Sequence, residues 1–123
     1  MRRLISTVLL MSALGCTNDD VYRAKHIEPG KGEAYVVVRI NRDTKFTTVR
    51  ITYPAENLEV TGTDADGNEK YESIRGTRDG NAVFEYPVKE KAGSFMELIQ
   101  RGVEFQGLSA ALNGAKREAV RDR

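Results

Sequence analysis

The sequence predicts a mainly β domain of the α+β class: an antiparallel meander of five strands, or a small sandwich, completed by one or two C-terminal helices. Three observations carry this prediction. Between residues 33 and 88 apolar side chains recur with a period of two, the strand signature. Turn chemistry punctuates that stretch at short intervals, with Asp66-Gly67-Asn68 and Asp79-Gly80-Asn81 as matching stops. From Ser94 onward the apolar period lengthens to that of a helix.

In the first expected strand, Val36, Val38 and Ile40 alternate with Tyr35, Val37 and Arg39, so both faces are largely apolar and the strand lies inside its sheet. Asn41-Arg42-Asp43 then turns the chain. The second strand, residues 45 to 53, places Val49, Ile51 and Tyr53 on one side and Phe46, Thr48, Arg50 and Thr52 on the other, a half-exposed hairpin partner. Pro54 breaks the ladder because it has no donor. A third strand starts at Leu58 and Val60, and a fourth runs from Tyr71 to Ile74. The fifth, Val83 to Val88, is placed at an edge or a strand end by Pro87. Gly62-Thr63 and Gly76-Thr77 precede the two Asp-Gly-Asn stops and read as meander punctuation.

Ser94-Phe95-Met96-Glu97 fits a capping box, in which the serine and the glutamate three residues later satisfy each other's backbone donors. Phe95, Leu98 and Ile99 share one helical face, expected to bury against Val36, Val38 and Ile40. Gly102 and Gly107 interrupt the run, leaving residues 102–107 as a turn or short strand. A second helix follows from Leu108 to Val120, ended or kinked at Asn113-Gly114.

The N-terminus carries the most specific signal. Arg2 and Arg3 precede an uncharged run from Leu4 to Leu14, too short for a spanning helix of about 20 apolar residues and typical of a secretory leader. It ends in Ala13-Leu14-Gly15-Cys16, with Cys16 the single cysteine of the chain. These residues resemble the lipobox of bacterial lipoprotein precursors, with Ala13 and Leu14 in the reverse of the usual order. The resemblance covers the first sixteen residues or so and implies cleavage between Gly15 and Cys16. It also implies a covalent diacylglycerol on the Cys16 thiol and an N-acyl chain on its amine, with no other cofactor. Thr17, in place of the aspartate that retains enterobacterial lipoproteins in the inner membrane, implies the outer membrane, with the domain facing the periplasm. The division expected is therefore a leader over 1–15, a lipidated N-terminus and polar tether over 16–32, the meander over 33–92 and a helical segment over 93–123. His26 falls in that tether as a solvent-exposed side chain.

Chemistry is sparse beyond the anchor. The net charge of +1 in 123 residues, near −1 once Arg2 and Arg3 are cleaved away, gives no basic excess for nucleic acid. The one histidine lies far in sequence from any nucleophile motif, and no Cys/His cluster offers a zinc site. Asp64, Asp66 and Asn68 alternate like the first ligands of an EF-hand, but Glu69 replaces the required glycine and Arg75 the bidentate glutamate, so they read as a hairpin turn. Lys116, Arg117, Arg121 and Arg123 form a basic C-terminus that could meet lipid headgroups or fray in solvent. The expectation is a non-catalytic binding or structural module of the envelope, with a protein or polysaccharide partner. A phage or mobile-element lipoprotein, acting in superinfection exclusion, receptor blocking or lysis, is the alternative.

Overall fold

The computed structural model describes residues 18–87 and 93–121. Six strands form one antiparallel sheet whose spatial order equals chain order: β1 Asp19–Glu28, β2 Gly32–Asn41, β3 Thr47–Tyr53, β4 Leu58–Asp64, β5 Ser73–Arg78 and β6 Asn81–Tyr86. A short 3-10 turn, Pro54–Glu56, joins β3 to β4, and one helix, α1, spans Phe95–Arg121 and covers one face of the sheet. The architecture is an open sheet with a helix, not a sandwich.

Alternation decides which face is covered. Ala34, Val36 and Val38 of β2, Thr47, Val49, Ile51 and Tyr53 of β3, and Leu58 and Val60 of β4 are all buried on the helix side. Register aligns Tyr22, Val38, Val49, Gly62, Ile74 and Tyr86 in one row across all six strands. Leu112 of α1 is fully buried over this row. Gly62 makes room for it, since a Cβ there would meet Leu112 Cδ1 at 2.5 Å and the Tyr71 ring at 3.0 Å. Gly76 makes the same kind of room for the Phe84 ring. Both glycines therefore lie inside strands as packing cut-outs, while Gly67 and Gly80 serve turns, with φ of 74° and 82°.

Four expectations need correction. The sheet has six strands instead of five, because residues 19–28, assigned to the tether, pair in full with β2 from Asp19↔Asn41 to Glu28↔Gly32. Pro29-Gly30 closes this hairpin: Lys31 N donates to Glu28 O at 3.0 Å and Gly30 has φ +81°, the conformation that a type II turn requires of its third residue. The fourth expected strand is displaced toward the C-terminus, at Ser73–Arg78, with Tyr71 buried just before it. The C-terminal segment is one helix of 27 residues that runs through Gly102, Gly107 and Gly114. Each of those glycines faces open space and costs about 1 kcal/mol of helix propensity relative to alanine, a cost offset by burial of Leu112, Ala115 and Ala119.

The fourth correction concerns the helix face. Phe95, Leu98 and Ile99 do not pack on Val36, Val38 and Ile40; they are 75, 56 and 46% exposed. The buried stripe belongs instead to Leu112, Ala115 and Ala119, with Phe105 and Leu108 partly covered. The capping box does form at its serine: Glu97 N donates to Ser94 Oγ at 3.1 Å, and the Glu97 carboxylate accepts from Gly93 N, one residue earlier than the usual partner.

Candidate functional site

Cys16 and Gly15, the expected lipidation and cleavage residues, lie outside the described residues, as does Arg123. The described chain opens at Asn18, which is fastened to the β2–β3 turn. Arg42 N donates to Asn18 O at 2.8 Å, Arg42 Nε to the same oxygen at 3.3 Å, and the Asn18 amide to the Asp43 carboxylate. The turn is itself tightly bound: Asn41 Oδ1 accepts from Asp43 N and Thr44 N, and Asn41 N donates to Phe46 O, all at 2.9 Å. No helix among the described residues is long and apolar enough to cross a membrane.

The face of the sheet turned away from α1 carries a polar side-chain array. Register sets Arg23, Val37, Arg50, Thr61, Arg75 and Glu85 in one row and Lys25, Tyr35, Thr52, Glu59, Thr77 and Ala82 in the next. Ion pairs link neighbours across strands: Lys25–Glu33 at 3.0 Å, Arg75–Glu85 at 3.1 Å and Arg50–Glu59 at 4.0 Å. The Glu33 partnership raises the Lys25 ammonium pKa and lowers that of the Glu33 carboxyl, both on exposed side chains. Between β4 and β5, Glu59, Thr61, Thr63, Ser73, Arg75 and Thr77 line a shallow groove of about 290 Å³. Hydroxyls and paired charges on a rigid pleat offer hydrogen bonds to a polar chain laid across them.

His26 is not a solvated tether residue. It projects from β1 toward the helix, with Nδ1 2.8 Å from the Glu118 carboxylate, outside hydrogen-bond geometry, and Nε2 3.8 Å from Glu28. Tyr53 Oη donates to Glu28 at 3.1 Å; burial and then the Glu28 charge push its pKa up to about 12. The cavity here, about 370 Å³, also touches Arg117 and Arg121, and none of its lining residues is a serine, threonine or cysteine. Two carboxylates flank one imidazole where the edge strand meets the end of the helix, and the Tyr53 hydroxyl joins them through Glu28. Of the basic C-terminus, Arg117 pairs with Glu69 at 2.7 Å, and residues through Arg121 are helical instead of frayed.

A second cleft, about 270 Å³, opens between β6 and the first half of α1. Tyr86 stacks on Phe105 at its mouth, ring centroids 3.7 Å apart, and Glu97, Arg101 and Glu104 line its helix side. The acidic turn after β4 keeps the role expected of it. Asp64, only 1% exposed, accepts from Gly67 N at 3.0 Å and Glu69 N at 2.7 Å, and so holds its own loop. Asp66 and Glu72 lie near it at a separation that a cation could bridge, but Glu72 is occupied by Ala65 N.

Comparisons with protein-family models, with curated proteins and with solved structures find no match to this chain.

Proposed function

We propose that the chain is the precursor of a lipoprotein anchored in the outer membrane through Cys16, with its β domain in the periplasm acting as a non-catalytic binding or structural module. The observation that carries this reading is the leader itself: two arginines, an uncharged run from Leu4 to Leu14, and Gly15-Cys16 at its end, with no other cysteine in the chain. A free thiol in an oxidising compartment is a liability unless it is used, and acylation uses it. Two or three acyl chains suffice for stable attachment. The bare face of the sheet supplies a surface for the envelope partner, with Thr61, Arg50 and Arg75 at its centre.

Metabolic labelling with palmitate, followed by membrane fractionation, tests the anchor. Wild type takes up label and sediments with outer membranes, and Cys16→Ser does neither while its domain stays folded. A Cys16→Ser protein that remains in the membrane fraction overturns the reading. Turnover of peptidoglycan or phospholipid by the purified lipidated protein would overturn the non-catalytic half of it.

A further inference from the structure

The tether that would have lifted the domain off the membrane is β1. Pairing begins at Asp19, Asn18 is bonded to the β2–β3 turn, and Thr17 alone separates it from Cys16. Two peptide units cannot hold the Cys16 Cα more than about 7 Å from that of Asn18, whatever their conformation. An acylated Cys16 lies at the lipid headgroups, so this end of the sheet is brought to the bilayer surface. The same end presents Phe46, 45% exposed, on the turn that Asn18 grips. The β4–β5 turn buttresses it: a Cβ on Gly67 would meet Lys45 O at 3.0 Å.

We propose that this end of the sheet is a membrane-contact surface, with Phe46 seated in the headgroup region of the bilayer beside the acylated Cys16. The inference rests on the lipid-anchor reading and adds to it a fixed orientation. An aromatic ring at the interface is favoured because its apolar body leaves water while the flanking polar groups stay hydrated. Charge does not drive the contact: Arg42 pairs with Asp20 at 3.6 Å and Arg39 with Asp19 at 3.9 Å, and with Asp43 and Asp66 set against Lys45 this end carries no cationic excess. Neutral lipid should therefore serve as well as anionic lipid. The orientation puts the strands upright, with His26, Tyr53 and Arg121 far from the bilayer. It also leaves the bare face of the sheet open sideways to the periplasm.

The chain contains no tryptophan, which makes the test direct. Phe46→Trp and Ile27→Trp each create a single reporter at an exposed site, the second at the far end of β1. Ten residues of strand separate the two ends by roughly 30 Å, well beyond contact quenching. Lipidated protein is reconstituted into phosphatidylcholine vesicles with brominated acyl chains. In a parallel arm, the chain from Cys16 onward, which contains every described element, is coupled through its one thiol to a maleimide lipid in the same vesicles. The Phe46→Trp emission should be quenched at least about threefold more than that of Ile27→Trp, in both arms. Equal quenching, or stronger quenching at Ile27→Trp, overturns the orientation. A chain that carries no lipid when expressed defeats the anchor reading alone, because the maleimide arm still reports how a domain held at Cys16 meets the membrane.

Discussion

The two halves of α1 use the same kind of residue in opposite ways. In the second half Leu112 and Ala119 are fully buried and Ala115 nearly so, and the two alanines let the helix axis come close to the sheet. In the first half Phe95, Met96, Leu98, Ile99 and Val103 are exposed, while Glu97, Arg101 and Glu104 line the cleft beside β6. From Val103 to Leu112 is nine residues, or about 900° of helical rotation, which leaves the two side chains on opposite sides. Phe105 and Leu108 continue the Leu112 side toward the N-terminus and are partly covered, whereas Leu98, fourteen residues before Leu112 and within about 40° of the same side, is 56% exposed. Burial here follows the reach of the sheet, and hydrophobicity alone does not say where that reach ends.

The sharpest way to break this contrast is Leu112→Ala, which should cost about 3 kcal/mol in urea denaturation, whereas Ile99→Ala should change stability by less than about 0.5 kcal/mol. Equal losses at the two sites would mean that the first half is covered in solution. Gly62→Ala comes next, at about 2 kcal/mol, because its methyl would overlap Leu112 and Tyr71. Combined with Leu112→Ala it should lose less than the sum, and strict additivity would disprove the cut-out role of Gly62.

Ser94→Ala should remove about 1 kcal/mol from the first half by leaving an N-terminal backbone donor unsatisfied. Amide exchange should rise in the first turn and stay unchanged around Leu112. The smallest effect is the pH response of the same cap. Gly93 N–H, and then Arg101, hold the Glu97 carboxyl below its ordinary pKa of 4.5. Its contribution is therefore present above that unfolded value and is lost as pH falls through the lower folded one. A carboxyl NMR titration should find Glu97 titrating below 4.5, with first-turn exchange accelerating over the same interval. Titration at or above 4.5 would show that the Gly93 contact is absent in solution.

The sheet interior and its turns were legible in the sequence because they rest on local rules. Val36, Val38, Val49 and Ile51 declare their face by alternation, and Gly67 and Gly80 sit where positive φ is needed. β1 was hidden because its covered positions are Tyr22, Ala24 and His26, which together carry little hydrophobic signal, while Arg23 and Lys25 fill the alternate positions. The sequence clue to it is Pro29-Gly30 directly before the strongest strand, a pair that closes a hairpin as readily as it ends a polar tether. The surroundings of His26 are hidden for the same reason, since Glu118 beside it lies on the helix at the other end of the chain. Gly62 and Gly76 could not be told from turn glycines, because what they accommodate, Leu112 and Phe84, is set by tertiary packing. The uninterrupted helix defied its glycines for the same reason.

Strand order that equals chain order has a consequence for a protein exported from its N-terminus, as proposed. Each strand leaving the translocation channel finds its partner already outside and immediately behind it, so the sheet can grow by successive hairpins with short loop closures. The helix arrives last. Until Leu112 crosses, the row from Val38 to Ile74 remains open to water, and on the proposed export route that interval is when the half-finished domain is most exposed to capture by chaperones or to self-association.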